Sequence, residues 1–232
     1  VTVESRLFGT DGVRGLANHY PMTPEMAFAL GRAGAEYLQT TREGKRTIIV
    51  GRDTRLSGDM LESAICAGIC AAGGDAIRVG VLPTPAIAYL TRAWGALGGV
   101  VLSASHNPFA DNGIKFFSAD GYKLPDAQED DLEQMVRQGA TRPAPTGRDI
   151  GCIRTAPEGL SEYLTFAGTT LGPDVSLAGL RVVLDCANGA VSAVAPRLFE
   201  QLGAQVIVLA AEPDGTNINR QCGALFPEQA QE

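Results

Sequence analysis

Hydrophobic residues along the chain follow two alternating patterns. In some segments they recur every three or four residues, which indicates helices, and in others they form short unbroken runs, which indicates buried strands. Because the two patterns alternate, we predict an α/β fold of three layers, with helices on both faces of parallel or mixed sheets. The predicted helices span residues 23–39, 57–72, 84–94, 127–138, 158–169 and 192–202, and the predicted strands 47–51, 76–81, 97–102, 114–117, 181–186 and 205–209.

Local chemistry marks several helix ends. Thr23-Pro24-Glu25 combines a hydroxyl N-cap, a proline at the first helical position and an acidic first turn. Thr84-Pro85 repeats this start, Ser57 is a candidate N-cap for the second helix, and Gly73-Gly74 ends that helix. The predicted element boundaries therefore depend on capping chemistry as well as on periodicity.

The segment 139–157 is rich in glycine, proline, threonine and arginine and has no clear period, so we interpret it as a linker. The order strand, polar loop, helix, strand occurs on both sides of it, over residues 48–80 and 182–209. We therefore expect a complete first domain over residues 1–150 and an incomplete second domain over residues 151–232. A single βαβ unit is small for a closed core, so we expect the chain to be the front part of a longer protein.

Composition excludes several classes of function. The 232 residues carry 19 Lys and Arg against 26 Asp and Glu, a net charge of −7, and 6% are aromatic. An acidic chain without a basic block or stacking aromatics is not expected to bind nucleic acid. No apolar run approaches the roughly 18 residues of a membrane span, and no signal peptide is visible, so we expect a cytoplasmic protein without membrane contact.

Cysteine and histidine content argues against a disulfide framework or a zinc site. The five cysteines are scattered and form no CxxC pair, and His19 and His106 are the only histidines. The cysteines are expected to be buried, reduced thiols. They are Cys66, Cys70, Cys152, Cys186 and Cys222.

The densest polar cluster directly follows the apolar strand 97–102. It runs from Ser103 to Lys115 and includes Ser105 and His106. Ligands of open α/β sheets bind at the carboxyl ends of strands, and Asn107-Pro108 makes the loop stiff. A stiff loop with a nucleophile and a base suits phosphoryl or acyl transfer, although a polar surface turn is the plainer alternative. The motifs of serine hydrolases, dinucleotide-binding folds and P-loops are absent from the sequence.

Three further loops combine glycine with charged or amide side chains. Residues 8–15 place three glycines around Asp11 and Arg14, as in a phosphate-binding loop. Residues 51–58 precede a helix, a position that favours anions, although Asp53 is expected to pair with Arg52 or Arg55. The turn 185–190 joins a strand to a helix in the second half, where a purely structural role is the stronger interpretation.

These four loops, with residues 212–219, resemble the α-D-phosphohexomutase superfamily, and most closely its glucosamine-phosphate branch. The resemblance spans nearly the whole chain, and the serine loop carries its most specific motif. It implies that Ser105 carries a phosphoryl group that passes to and from a hexosamine phosphate through a 1,6-bisphosphate. It also implies that Lys115 and Arg14 supply positive charge, and that His106 contacts the substrate or assists proton movement. Mg²⁺ is expected on the Ser105 phosphate oxygen, held further by aspartates beyond residue 232.

Other interpretations stay open. A mutase of the same superfamily could prefer glucose or mannose phosphates, since the sugar-selecting loop is expected beyond this chain. A non-catalytic phosphosugar-binding module is the alternative from another class. The sequence leaves both a monomer and a homodimer open, and we expect the 232-residue chain by itself to be inactive as a mutase.

Overall fold

The computed structural model describes residues 6–41, 44, 46–139, 142–172 and 175–231. In chain order the strands are β1 (Val13–Leu16), β2 (Thr47–Arg52), β3 (Asp75–Val81), β4 (Gly98–Leu102), β5 (Asp111–Ser118), β6 (Ile153–Thr155), β7 (Arg181–Asp185) and β8 (Gln205–Leu209). The helices are α1 (Pro24–Thr41), α2 (Gly58–Ala71), α3 (Thr84–Ala93), α4 (Asp126–Gln138), α5 (Gly159–Thr169) and α6 (Ala195–Gln201).

Within these residues, six strands form one mixed sheet in the order β1-β5-β4-β2-β3-β6. Strands β4, β2, β3 and β6 run parallel, while β5 is antiparallel to β4 and to β1. The carboxyl ends of β2, β3 and β4 therefore meet at one edge. The loops that follow these strands are brought together there.

Both faces of this sheet are covered by helices. On β2, Ile48 and Val50 pack under α1, α2 and α4, whereas Ile49 packs under α3 and α5. An unbroken apolar run is what a strand buried on both faces requires. The predicted three-layer α/β class is confirmed.

We call the six-stranded sheet with its covering helices the first unit, and residues 181–231 the second unit. The second unit contains the parallel pair β7–β8 with α6 beside it. The predicted helix 192–202 is a 3-10 turn (Ala190–Ala193) followed by α6. Pro196 explains the break, because proline lacks the N–H that a continuous helix would need there and is tolerated in a first turn.

Two further expectations need correction. Residues 153–155 of the predicted linker form β6, which pairs with β3 and extends the first sheet. Ser57 immediately precedes α2, but its hydroxyl accepts a hydrogen bond from Asn112 Nδ2 at 2.9 Å instead of capping the helix. Thr23 does cap α1, since its Oγ1 accepts from the Met26 amide at 3.2 Å.

The domain boundary at residue 150 stays a prediction. Beyond it, α5 packs on α3 through a stacked pair of Tyr89 and Phe166, with ring centroids 3.9 Å apart. Trp94 Nε1 also donates to Glu162 at 2.8 Å.

None of the helices in the described part of the chain combines the length and the continuous apolarity needed to cross a bilayer.

Candidate active site

The serine loop, residues 103–110, leaves β4 at the edge where the parallel strands end. Ser105 is exposed and has a φ of 54°, in the left-handed region that costs a side-chain-bearing residue roughly 1–2 kcal/mol. Its amide donates to Ser103 Oγ at 3.1 Å, so Ser103 supports the backbone of the loop at Ser105. Backbone strain of this kind persists only where the surroundings hold it in place.

Arg55 fixes the serine loop through hydrogen bonds to its backbone carbonyl oxygens. Its Nη2 donates to the carbonyl oxygens of Ser105 and Asn107, both at 2.9 Å. Its Nη1 donates to the carbonyl oxygens of Asp111, at 3.0 Å, and Pro108. The Arg55 side chain is fully buried, and these four carbonyls, together with Asp53, use all five of its N–H groups.

Asp53 is the charge partner of Arg55. Its Oδ2 lies 2.9 Å from Arg55 Nε, and its Oδ1 accepts from the Arg55 amide at 3.0 Å. The sequence left Arg52 and Arg55 open as partners of Asp53, and the structure selects Arg55. Arg52 instead pairs with Asp59 and lies 3.4 Å from Glu62.

The second unit also reaches the serine loop, through Asn219. Its Nδ2 donates to the carbonyl oxygens of Ser105, at 2.9 Å, and Asn107, at 3.0 Å. Asn219 has a φ of 59°, and its own amide donates to the Ala187 carbonyl oxygen at 2.9 Å. Two more hydrogen bonds join the units nearby, from Thr54 Oγ1 to the Asn188 carbonyl and from the Leu56 amide to the Gly215 carbonyl.

Two cationic side chains lie beside the loop. Lys115 is opposite Val101 in the sheet, and Arg14 is opposite Gly113, so both share the sheet face on which Val101 lies. Both pair with the carboxylate of Asp11. Burial opposes ionisation of Asp11, but the hydrogen bond and charge of Lys115, with those of Arg14, outweigh it and hold the pKa of Asp11 below its ordinary 3.8.

Glycine at position 12 lets the side chain of Lys115 pack closely against the backbone of the 8–15 loop. Gly12 has a φ of 85°, and a Cβ there would overlap the carbonyl oxygen of Ile114 and lie 2.9 Å from Cγ of Lys115. The glycine-rich loop that the sequence singled out thus packs its backbone directly against Lys115.

Ser105 faces a groove of about 350 Å³ between the two units. Ser103 and Asp53 line one side, and Ala187 and Asn219 line the other. Thr84, in the first turn of α3, also lines it. A helix N-terminus favours anions, so the start of α3 favours an anionic group on this side of the groove.

His106 lies on another side of the serine loop. It lines a neighbouring groove of about 640 Å³ with Phe109, Ile218 and Phe226. The structure therefore brings Ser105, Ser103 and Asn219 to one groove and His106 to the next, with Asn219 lining both.

The turn after β7 is held by backbone hydrogen bonds to Asp185, and it also lines the Ser105 groove, so its role stays open. Asp185 accepts from the amides of Ala187, at 2.8 Å, and Gly223, at 2.6 Å. Ala187 and Asn188 both have positive φ values. Burial raises the pKa of the Cys186 thiol, as expected for a buried cysteine. The expectation that the cysteines are buried is wrong for Cys152, which is exposed, and holds only in part for Cys70.

A Mg²⁺ ion needs several oxygen ligands in near-octahedral geometry. Among the residues that the structure describes, no three His, Cys, Asp or Glu side chains cluster closely enough to hold a metal ion. Ser105 offers a single hydroxyl oxygen. These residues do not fit a Mg²⁺ site by themselves, and the metal expected at Ser105 stays a prediction.

Sequence comparison places these features in a known context. A family model for the α/β/α domain I of phosphoglucomutase and phosphomannomutase matches residues 5–143. The phosphoglucosamine mutase of Desulforudis audaxviator is 59% identical over 227 residues, which are 97% of this chain and 50% of that protein. The phosphoglucosamine mutase of Moorella thermoacetica is 55% identical with the same coverage. The chain thus spans about half the length of the curated relatives it matches.

Comparison with solved structures is consistent with the match to the domain I family model. A phosphoglucomutase/phosphomannomutase family protein from Burkholderia thailandensis superposes with a TM-score of 0.76 at 27% identity. The match covers 91% of this chain and 45% of that chain.

Proposed function

The chain belongs to the phosphoglucomutase/phosphomannomutase family, whose α/β/α domain I it carries, and from that premise we propose that it acts in a phosphosugar mutase. The proposed reaction interconverts glucosamine 6-phosphate and glucosamine 1-phosphate. The choice of sugar is supported by the two relatives at 59% and 55% identity, both of them phosphoglucosamine mutases.

One observation carries the proposal. Ser105 is an exposed hydroxyl held in a left-handed backbone conformation, on a loop whose carbonyl oxygens are fixed by the buried Arg55 guanidinium. Phosphoryl transfer depends mainly on positioning and on neutralising charge. A fixed, accessible serine at the carboxyl end of a sheet strand is suited to carry the transferred group.

The proposed cycle starts with a phosphoryl group on Oγ of Ser105. A free hydroxyl oxygen of the sugar monophosphate attacks phosphorus, so that a sugar O–P bond forms while the Oγ–P bond breaks. The hydroxyl proton passes to a base. His106, which lines the neighbouring groove, is our candidate either for this base or for a contact with the bound sugar. The product is a 1,6-bisphosphate, and transfer of its other phosphoryl group back to Oγ restores the phosphoserine and releases the isomer.

Positive charge for this transfer is assigned to Lys115 and Arg14. A phosphoserine carries a charge of about −1.5 to −2. Both cations already share Asp11 as a counterion, and each retains N–H donors for a phosphate oxygen. The start of α3 contributes a favourable dipole on the groove side.

Three finer elements complete the proposal. When bound, Mg²⁺ would neutralise charge on the phosphate. The cytoplasm is the proposed location. The proposed product serves the synthesis of UDP-N-acetylglucosamine for the cell wall.

A panel of sugar bisphosphates tests the proposal. Because the sugar-selecting loop is expected beyond this chain, the full-length protein expected to contain it is incubated with the 1,6-bisphosphates of glucosamine, glucose and mannose, and protein-bound phosphate and released monophosphate are measured. We expect one phosphoryl group per chain, fastest from the glucosamine compound, and none with Ser105→Ala. Faster transfer from glucose or mannose 1,6-bisphosphate would favour the alternative sugar. Transfer that is unchanged in Ser105→Ala would contradict the assignment of the nucleophile.

A further inference from the structure

Asn219 and Arg55 donate hydrogen bonds to the same two carbonyl oxygens of the serine loop. The oxygens of Ser105 and Asn107 each accept one hydrogen bond from Arg55 Nη2, at 2.9 Å, and one from Asn219 Nδ2, at 2.9 and 3.0 Å. A carbonyl oxygen has two lone pairs, so the two donors saturate each acceptor. Both hydrogens of the Asn219 amide are used in this arrangement.

The two donors differ in what anchors them. Arg55 is buried in the first unit and is held by Asp53. Asn219 belongs to the segment after β8, and its backbone is tied to Ala187 in the turn that follows β7. A shift of the second unit would therefore move one donor and leave the other in place.

The backbone at Asn219 also points to a dedicated role. Its φ of 59° lies in the left-handed region, where asparagine is better tolerated than most residues. This conformation directs a short amide side chain at the serine loop, 114 residues away in sequence.

We propose that Asn219 is a positioning residue for phosphoryl transfer, and that through it the second unit sets the conformation of the Ser105 loop. This inference rests on the proposed function. It adds that the serine is competent only while the second unit is docked, because only then does each of the two carbonyl oxygens accept from both Arg55 and Asn219.

The test uses three single variants of the chain. Asn219→Asp has nearly the same shape, but it replaces the amide donor by an oxygen facing two carbonyl oxygens. Asn219→Gln keeps the donor, and Gln221, with a φ of 54°, shows that this segment accepts glutamine in a left-handed conformation. Asn18→Asp is the matched control, since Asn18 is an exposed asparagine with a φ of 65° and the charge change is the same.

The first measurement is amide hydrogen exchange without any phosphate donor. For Asn219→Asp we expect exchange of residues 103–111 to be about tenfold faster, the scale of one or two lost hydrogen bonds. Residues 98–102 in β4 report global unfolding and should not change. Asn219→Gln should restore most of the protection, and Asn18→Asp should match the wild type. Unchanged exchange of the loop would overturn the inference, as would equal acceleration in both segments.

The second measurement is single-turnover phosphorylation of Ser105 by glucosamine 1,6-bisphosphate. Asn219→Asp should lower the maximal rate about tenfold, while the half-saturating concentration stays near that of the wild type. An unchanged maximal rate alongside faster loop exchange would overturn the positioning role. For this measurement the variants are made in the full-length protein expected to contain this chain. If its wild type accepts no phosphoryl group, the proposed function fails, and hydrogen exchange still decides whether Asn219 holds the loop.

Discussion

The Arg55 guanidinium donates from Nη2 to the carbonyl oxygen of Ser105 at 2.9 Å, across 50 residues of sequence. The candidate nucleophile is thus oriented through its own backbone by a buried cation of a neighbouring loop. Because Arg55 also binds Asp53 and three more carbonyls, the loop geometry and the stability of the first unit depend on the same side chain.

Replacing Arg55 by lysine tests this dependence. Lysine keeps the charge but has three donors on one nitrogen, so several carbonyl oxygens would be left unpaired in a buried site. We expect a loss of about 3 kcal/mol in the free energy of unfolding, measured by urea denaturation. Arg52→Lys is the control, because Arg52 is partly exposed and pairs with carboxylates that a lysine can also reach. Equal losses in the two variants would contradict the special role of Arg55.

Gly12→Ala tests the close approach between the glycine loop and Lys115. The added Cβ meets backbone and Lys115 at a φ of 85°, so we expect a loss of about 2–4 kcal/mol from combined strain and crowding. Gly80→Ala is the matched control, since Gly80 has a φ of 77° and open space around it. Strain alone should cost that variant about 1–2 kcal/mol. Urea unfolding of both variants gives the difference, and losses that do not differ would argue against crowding at Gly12.

Asp11 gives a prediction for pH dependence. Its folded pKa lies below the ordinary 3.8, so its contribution to stability is present above pH 3.8 and is lost as the pH falls through the lower, folded value. The difference in unfolding free energy between wild type and Asp11→Asn should therefore shrink on acidification below pH 3.8. Because the Asp11 side chain is half-exposed, the effect is expected to be small and to weaken with added salt. A difference that grows on acidification would contradict the Asp11–Lys115 pairing.

Much of the fold could be predicted because the sequence signals are local. The apolar runs of β2 and β4 and the Thr23 cap of α1 depend on neighbouring residues alone. The start of α3 was predicted too, but Thr84 is its first residue and forms no hydroxyl cap, since Pro83 occupies the N-cap position. Strand β6 could not be predicted in this way. Its residues are all exposed and have no period, and only pairing with β3 makes them a strand.

The same distinction between local signals and contacts of distant residues applies to the candidate site. The serine loop could be predicted because its polar residues are contiguous and directly follow a buried strand. The contacts of Arg55 and Asn219 with that loop could not, since they join residues that are 50 and 114 positions apart. The sequence singled out both segments, 51–58 and 212–219, but it gave no signal for these contacts: a guanidinium in a loop after a parallel strand indicates an anion site as readily as a structural one.

The most direct test of the central claim is to locate the phosphate in the protein. The full-length protein expected to contain this chain is incubated with glucosamine 1,6-bisphosphate, digested and mapped by peptide mass spectrometry. The account predicts a single phosphoryl group on Ser105, which disappears in Ser105→Ala and persists in Ser103→Ala. Phosphate on Ser103, or none on the loop while bisphosphate is consumed, would contradict the assignment of Ser105 as the residue that carries the phosphoryl group.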